Sequence, residues 1–444
     1  MSPCPADGGQ TSRLLTLRMR VEYAVHLVRR LVRRSNGSTL TSSHSYPEVL
    51  AEKSFDNTGL LLEAPFDPLR RQMNSVLLTV DLTRAVADEA IENNHSVVVA
   101  YHPIIFRGLK SLTLADSQQS SLLRLALEGI SVYCPHTAVD AVPDGMTDWL
   151  CDIVSGKLSN PEPETHTATS DEAPVLEERE MKAHSKSEKT QTDDASSNDT
   201  ARPSPHSQRS YSKPTYPSLA SSSATDLHTN AIPHKRSVIH QSPSAALDTA
   251  NANSPSTSNP TYTSTTTGAG RLITFNSPQP LTHLIERIAR GVGTPKGFPV
   301  AIPQSSSVED IQIRTVGVCP GSGGSVLRDC AAAGDGGLLF TGELSHHEAL
   351  AVTEKGGCVV SLFHSNSERG YLHSVMKGKL EVEIKREWEM VRKSMSEKSE
   401  GEGVSEDLED VLKDENVTVE VSERDRDPYG IVILQASDQV GTKI

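Results

Sequence analysis

Ser361-Leu-Phe-His364-Ser-Asn-Ser-Glu368-Arg-Gly370 is the stretch whose reading decides the fold. An apolar run over residues 359–363 delivers a histidine, and a carboxylate follows four residues later. If a helical turn follows the strand, His364 and Glu368 face the same way. A neutral imidazole beside a carboxylate suits a borderline divalent cation such as Zn, Mn or Fe(II). Taken alone, the segment reads more readily as a strand end with a capping histidine and a solvated glutamate. A second copy changes that. Ser131-Val-Tyr-Cys-Pro-His136-Thr-Ala-Val-Asp140 is again an apolar strand, a histidine, and a carboxylate four residues on.

Around the earlier copy, residues 76–80, 97–100 and 130–133 are apolar runs of the kind buried on both faces of a sheet. Between them, Thr83 caps a helix whose apolar stripe is Val86, Ala87, Ala90 and Ile91. A second helix covers 122–128 and stops at Gly129. Strand–helix–strand–helix–strand implies parallel pairing, and ligands of open parallel sheets gather at the carboxyl ends of the strands. Asp81, His102, His136 and Asp140 all fall there.

The later copy has the same order. A helix is expected over 281–290 and strands over 315–319, 338–341 and 359–363. Helices are expected over 326–333 and from the Ser345 cap to Gly356-Gly357. Duplication of one α/β unit explains this with one assumption. His102, His136 with Asp140, and His364 with Glu368 then form a set that matches a dinuclear site with a bridging carboxylate. The turn Gly321-Ser-Gly323-Gly324-Ser325 either holds a phosphate on its backbone N–H groups or simply turns strand into helix; no lysine makes it a nucleotide loop. Of His346 and His347, which start a helix, one is a candidate to line the site. Beyond lie a helix over 371–395, an acidic loop over 396–409, and closing strands at 417–421 and 431–434.

Composition draws the boundaries. Of 444 residues, only 4% are aromatic and 36% hydrophobic, and the deficit is local. Residues 157–268 are Ser, Thr, Pro, Asn, Glu and Lys without Phe, Trp or Cys, too little apolar area to offset the entropy of ordering. The expected organisation is an N-terminal extension (1–44), a first α/β half (45–156), a disordered insert (157–268) and a second α/β half (269–444). The class is α/β, two related halves with largely parallel sheets. A net charge of −14 argues against a nucleic-acid binder. Six scattered cysteines without a CxxC pair read as reduced thiols in a cytoplasmic protein. Arg-rich residues 13–34 offer a mitochondrial leader as the alternative to an ordinary helix over 21–34. No run is long enough for a membrane span.

Phe55-Asp56-Asn57-Thr-Gly59-Leu-Leu, Tyr101-His102-Pro103-Ile-Ile-Phe106, His136-Thr-Ala138-Val-Asp140, Gly321-Ser-Gly-Gly324, Thr341-Gly-Glu-Leu-Ser-His346 and His364-Ser-Asn-Ser-Glu368-Arg369 occur in one order. Together they resemble the NIF-three-like family, whose bacterial members are often named GTP cyclohydrolase I type 2 homologues. The match covers roughly 45–156 and 269–444 and looks like a fungal-type member. The resemblance implies two α/β halves, two divalent metals between them, and a toroidal hexamer. It implies that His102, Asp140, His364 and Glu368 are metal ligands, with Glu368 bridging, and leaves His136, His346 and Tyr101 as catalytic candidates. One departure is Tyr101, where bacterial members have a histidine. A phenol with an ordinary pKa of about 10 is a poorer ligand, so one of the two metals is expected to be weak or absent. The implied function is a metal-dependent hydrolase acting on a nucleotide or related metabolite. The alternative is a metal-binding scaffold for a transcriptional adaptor.

Overall fold

Three short runs in the first half, SVLLT, VVVA and SVYC, are buried along their whole length, and they form the centre of a sheet. The computed structural model describes residues 46–65, 74–157, 231–252, 261–399 and 414–432. β1 (Gly59–Leu62), β2 (Ser75–Thr79), β3 (Val97–Ala100), β4 (Ser131–Cys134) and β11 (Thr418–Val421) make a five-stranded sheet ordered β1-β4-β3-β2-β11. β2, β3 and β4 pair in parallel, as the crossover order requires, and β1 closes one edge antiparallel to β4. The crossovers are α1 (Arg84–Glu92) and α2 (Ser117–Leu127), capped by the side chains of Thr83 and Asp116. α3 (Thr137–Ala141) and α4 (Met146–Ser155) follow β4.

The second sheet contains β5 (His234–Gln241), β6 (Gly268–Pro280), β7 (Val300–Ala301), β8 (Gln312–Ser322), β9 (Gly337–Glu343) and β10 (Cys358–Ser361), ordered β5-β6-β8-β9-β10-β7. β8, β9 and β10 are parallel, and β7 lies antiparallel on β10 as β1 does on β4. The equivalence β2/β8, β3/β9, β4/β10 is the expected duplication. Its helices are α5 (Ser244–Ala252), α6 (Leu281–Gly291), α7 (Gly324–Leu327), α8 (His346–Thr353), α9 (Asn366–Tyr371) and α10 (Lys377–Ser399). A turn of π-helix, Leu372–Met376, separates the last two. β11 (Thr418–Val421) returns to the first sheet, parallel to β2.

The halves exchange helices. Leu150, Ile153 and Val154 of α4 pack with Phe275, Val316, Val318 and Phe340 of the second sheet. Tyr371, Val375, Met376, Ile384 and Trp388 pack on Val76, Leu78, Val97 and Val99 of the first. The opposite face of each sheet has its own cover, α1 and α2 on one, α7 and α8 on the other. This is why the central strands read as continuous apolar runs.

Some expectations are corrected. β5 and α5 lie inside the stretch expected to be a disordered insert over 157–268. β5 is ordered because Arg236 pairs with Asp152 at 2.7 Å and its backbone ladders onto β6. The helix expected over 326–333 is the single turn α7, after which the chain bends at Arg328 and Asp329. The helix expected over 371–395 starts as α9 and a π turn and continues to Ser399, so the start of the expected acidic loop is helical. Ile431 and Val432 are in no strand. The extension over 1–44 and its helix over 21–34, the rest of the insert (158–230 and 253–260) and residues 400–413 lie outside the described residues. No described helix is long and apolar enough to cross a membrane.

Candidate metal centre

The carboxyl ends of β3, β4, β9 and β10 bring the site together. His102 follows β3, His364 lies on the turn after β10, and Glu368 lies in the first turn of α9. One donor atom from each of His102, His364 and Glu368 lies within 4.8 Å of the others, the one such group among the described residues. His102 Nε2 stands 3.2 Å from Glu368 Oε2, and His364 Nε2 stands 3.7 Å from Glu368 Oε1. Tetrahedral donors at about 2 Å from one ion are roughly 3.3 Å apart. Glu368 is 1% exposed. Its Oε2 and His102 Nε2 satisfy no hydrogen bond among the described residues, although each is buried. Buried polar atoms without partners are uncommon, and two that face each other fit a shared cation.

Each ring is anchored on its other nitrogen. His102 Nδ1 is 2.9 Å from Asp81 Oδ1, His364 Nδ1 is 2.9 Å from Glu343 Oε1, and His136 Nδ1 is 2.6 Å from Asp56 Oδ1. Holding Nδ1 on a carboxylate leaves Nε2 for an ion and raises its basicity. Burial alone would lower the His102 pKa, but the Glu368 and Asp81 carboxylates push it up to about 10. Asp81 moves the other way. Against the effect of burial, the His102 hydrogen bond and charge hold its carboxyl below the usual range.

Backbone strain gathers here. His136, at the end of β4, has φ +33°, and Phe363, at the end of β10, has φ +67°. Such values in non-glycine residues cluster at functional sites. The β8 turn closes over the group at Gly321, φ +58°, where a Cβ would stand 2.6 Å from Glu368 Oε1 and 3.0 Å from His364 Nε2. Only glycine fits that approach.

Asp140 stands apart from the group of three. Buried Tyr101 places its hydroxyl 2.8 Å from both Asp140 oxygens. Burial raises the Asp140 carboxyl to about 8; the Tyr101 hydrogen bond opposes this and the Glu368 charge adds to it. The His136 ring lies edge-on to Tyr101 at 5.4 Å and to His102 at 5.5 Å, so it borders the group. His346 is exposed at the start of α8, its ring 5.2 Å from that of His347. The phosphate reading of the glycine turn fails. Glu348 Oε1 would lie 2.3 Å from a Cβ on Gly324, so a carboxylate fills the space an anion needs, and α7 is a single turn.

Sequence reasoning gave no role to Asp56 or Glu343, and it placed Asp81 at a strand end without its part in holding His102. The available signal was position: Asp81 and Glu343 are acids at strand ends, and Asp56 precedes β1 by three residues.

The profile of the family described as Duf34/NIF3 (NGG1p interacting factor 3) matches residues 40–401. A Schizosaccharomyces pombe protein named NIF3 homolog is 36% identical over 336 residues, 76% of this chain and 84% of its own length. The Saccharomyces cerevisiae protein named NGG1-interacting factor 3 is 31% identical over 343 residues, 76% of this chain and 87% of its own. Among solved structures, a Bacillus cereus protein related to NIF3 aligns over 93% of this chain and 98% of its own, at 17% identity and a TM-score of 0.49.

Proposed function

The chain belongs to the Duf34/NIF3 family, and we propose that His102, His364 and Glu368 hold a divalent ion, Zn, Mn or Fe, at which a small anionic substrate is hydrolysed. The observation that carries this reading is the convergence of His102 Nε2 and Glu368 Oε2, two buried atoms that face each other at 3.2 Å without a well-formed hydrogen bond, with His364 Nε2. A bound divalent ion would supply Lewis acidity toward a substrate oxygen. The protein's own part is to hold three donors rigidly: His102 through Asp81, His364 through Glu343, Glu368 through burial. His136, fixed by Asp56, is the group placed to take or return a proton beside them. The rim suits a planar anion such as a nucleotide. Phe55 and Phe106 are half exposed with ring centroids 6.3 Å apart, and exposed Arg107 and Lys110 follow in the same loop. The Asn57 side chain ties the Phe55 turn to the Ile105 carbonyl, three residues after His102.

One observation favours a narrower site than the two metals implied by the resemblance. The Tyr101 hydroxyl shares its one proton between the two Asp140 oxygens at 2.8 Å, and Asp140 is outside the group of three donors, which suits one ion per chain. The same feature favours a second reading, a metal-binding scaffold that works through a protein partner. Metal analysis of the purified full chain tests the first claim. About one ion per chain, lost in Glu368→Gln, is expected for a three-donor site; metal content unchanged by that substitution overturns it. The loaded protein is then incubated with a metabolite extract, with Glu368→Gln as control. Depletion of an anionic metabolite supports the hydrolase, and an untouched extract supports the scaffold. A hexamer is the proposed assembly, with light scattering as its measurement.

A further inference from the structure

The three donor atoms come from both halves of the chain, His102 from the first, His364 and Glu368 from the second. Their spacing therefore depends on how the halves are held, and residues 422–429 lie where that is decided. Asp425 Oδ2 accepts a 2.7 Å hydrogen bond from the Val80 N–H, beside the Asp81 that anchors His102. The same oxygen pairs with Arg369 Nη1, next to Glu368. Arg369 Nη2 donates to Ser365 Oγ at 2.9 Å. Asp427 Oδ2 accepts from the Ser365 N–H at 3.2 Å and from Ser365 Oγ at 2.8 Å, next to His364. The Tyr429 ring stacks on the strained Phe363 with centroids 5.9 Å apart.

The segment thus touches the neighbour of every donor: Ser365 beside His364, Arg369 beside Glu368, and Val80 beside the residue that holds His102. Asp425 and Arg369 are both buried. Asp425 Oδ1 and Arg369 Nε find no hydrogen bond among the described residues. A buried ion pair that is incompletely satisfied adds little to stability, and its contacts on both halves fit a role in fixing geometry.

We propose that residues 422–429 are a positioning strap that sets the distance between the two halves of the metal group, with Asp425 and Asp427 as its working residues. This rests on reading His102, His364 and Glu368 as a metal group.

The test uses the full chain stripped by a chelator and titrated with Co(II), whose visible absorption reports ligand geometry. Asp425→Asn is expected to weaken Co(II) binding by about 10- to 100-fold, the range for partners that orient ligands, and to shift the visible band. Asp427→Ala moves both in the same direction by a smaller factor. Glu92→Ala, which removes only the exposed Arg424 pair of the same segment, leaves both unchanged. Circular dichroism checks that each variant is folded, and if Asp425→Asn does not fold, Asp427→Ala decides. Folded variants with wild-type affinity and spectrum overturn the strap. A wild type that binds no Co(II), or a Glu368→Gln variant that binds it unchanged, overturns the metal reading beneath it and is told apart by that result.

Discussion

Replacing Arg271 by methionine should cost the protein about 4 kcal/mol. Arg271 is 2% exposed and joins the start of β6 to the turn between α3 and α4. Its Nε donates to Asp148 Oδ1 at 3.0 Å, Nη1 to the carbonyls of Gly268 and Gly270 at 2.6 and 3.1 Å, and Nη2 to that of Thr266 at 3.1 Å. The Ala141 carbonyl, directly after Asp140, accepts more weakly at 3.3 Å. Breaking a buried pair by removing one partner typically costs about 3–5 kcal/mol. Asp148 keeps the Asp144 N–H at 2.9 Å and Arg236 at 3.5 Å, which pulls that term to its low end. Carbonyls left without donors add about 1 kcal/mol or more. Urea unfolding followed by tryptophan fluorescence is the assay. The two tryptophans report separately placed helices, Trp149 beside Asp148 on α4 and Trp388 on α10. Arg290→Met, which removes only an exposed pair with Glu286, should change stability by less than about 1 kcal/mol. An Arg271→Met loss no greater than that of the control would refute the reasoning.

Two further outcomes follow from the same structure. The Ile232 N–H donates to the Ser155 carbonyl at 2.8 Å, so the ends flanking 158–230 already meet. Joining them through a short Gly-Ser linker should leave metal content and thermal midpoint unchanged, whereas a deletion of 158–265, which also removes β5, α5 and Arg236, should give insoluble or destabilised protein; equal stability of the two would count against β5 as part of the fold. His373, in the π turn, is held down to about 4 by burial, with the Arg369 and Lys377 charges adding to it. Its folded pKa lies below the ordinary 6.5, so its contribution is full above pH 6.5 and is lost as pH falls toward 4, by up to about 3 kcal/mol. The stability gap between wild type and His373→Asn should therefore shrink between pH 7 and pH 4.5, and a constant gap would refute the assignment.

Much of the site was legible because its chemistry sits at strand ends. A run such as Val97–Ala100 announces a buried parallel strand, and whatever polar residue ends it is exposed to the crevice. His102, His364 and Glu368 were found that way. The carboxylates that hold the rings were not, since Asp81 and His102 are 21 residues apart and Asp56 and His136 are 80 apart. Asp56 alone looks like a solvated loop residue, and Asp81, although at a strand end, carries no sign of the ring it holds. β5 was missed because its partly exposed residues give no continuous apolar run and its ion-pair partners, Asp148 and Asp152, lie on α4 of the other half. The π turn was invisible because one inserted residue in a helix leaves no mark on composition.

Duplication alone would give each half the same share of the site, and the departure from that equality bears on the chemistry. Both halves end an apolar strand in a strained residue and follow it with a carboxylate: His136 and Asp140 after β4, Phe363 and then Glu368 after β10. In the second half the carboxylate is buried with an unsatisfied oxygen facing His102. In the first half Tyr101 meets both oxygens. One phenol proton shared between the two oxygens takes up part of the acceptor capacity of Asp140, and burial disfavours its charge. On the proposed reading, the second half supplies the anionic ligand and the first half supplies His102 and a proton-bearing surface of Tyr101, Asp140 and His136. Because α4 is seated on the second sheet and α10 on the first, neither half has a complete core without the other. The group of three can therefore exist only where the two are joined, which is why the contacts that join them, Arg271 and the strap at Asp425, are the places where a change outside the donors should be felt at the ion.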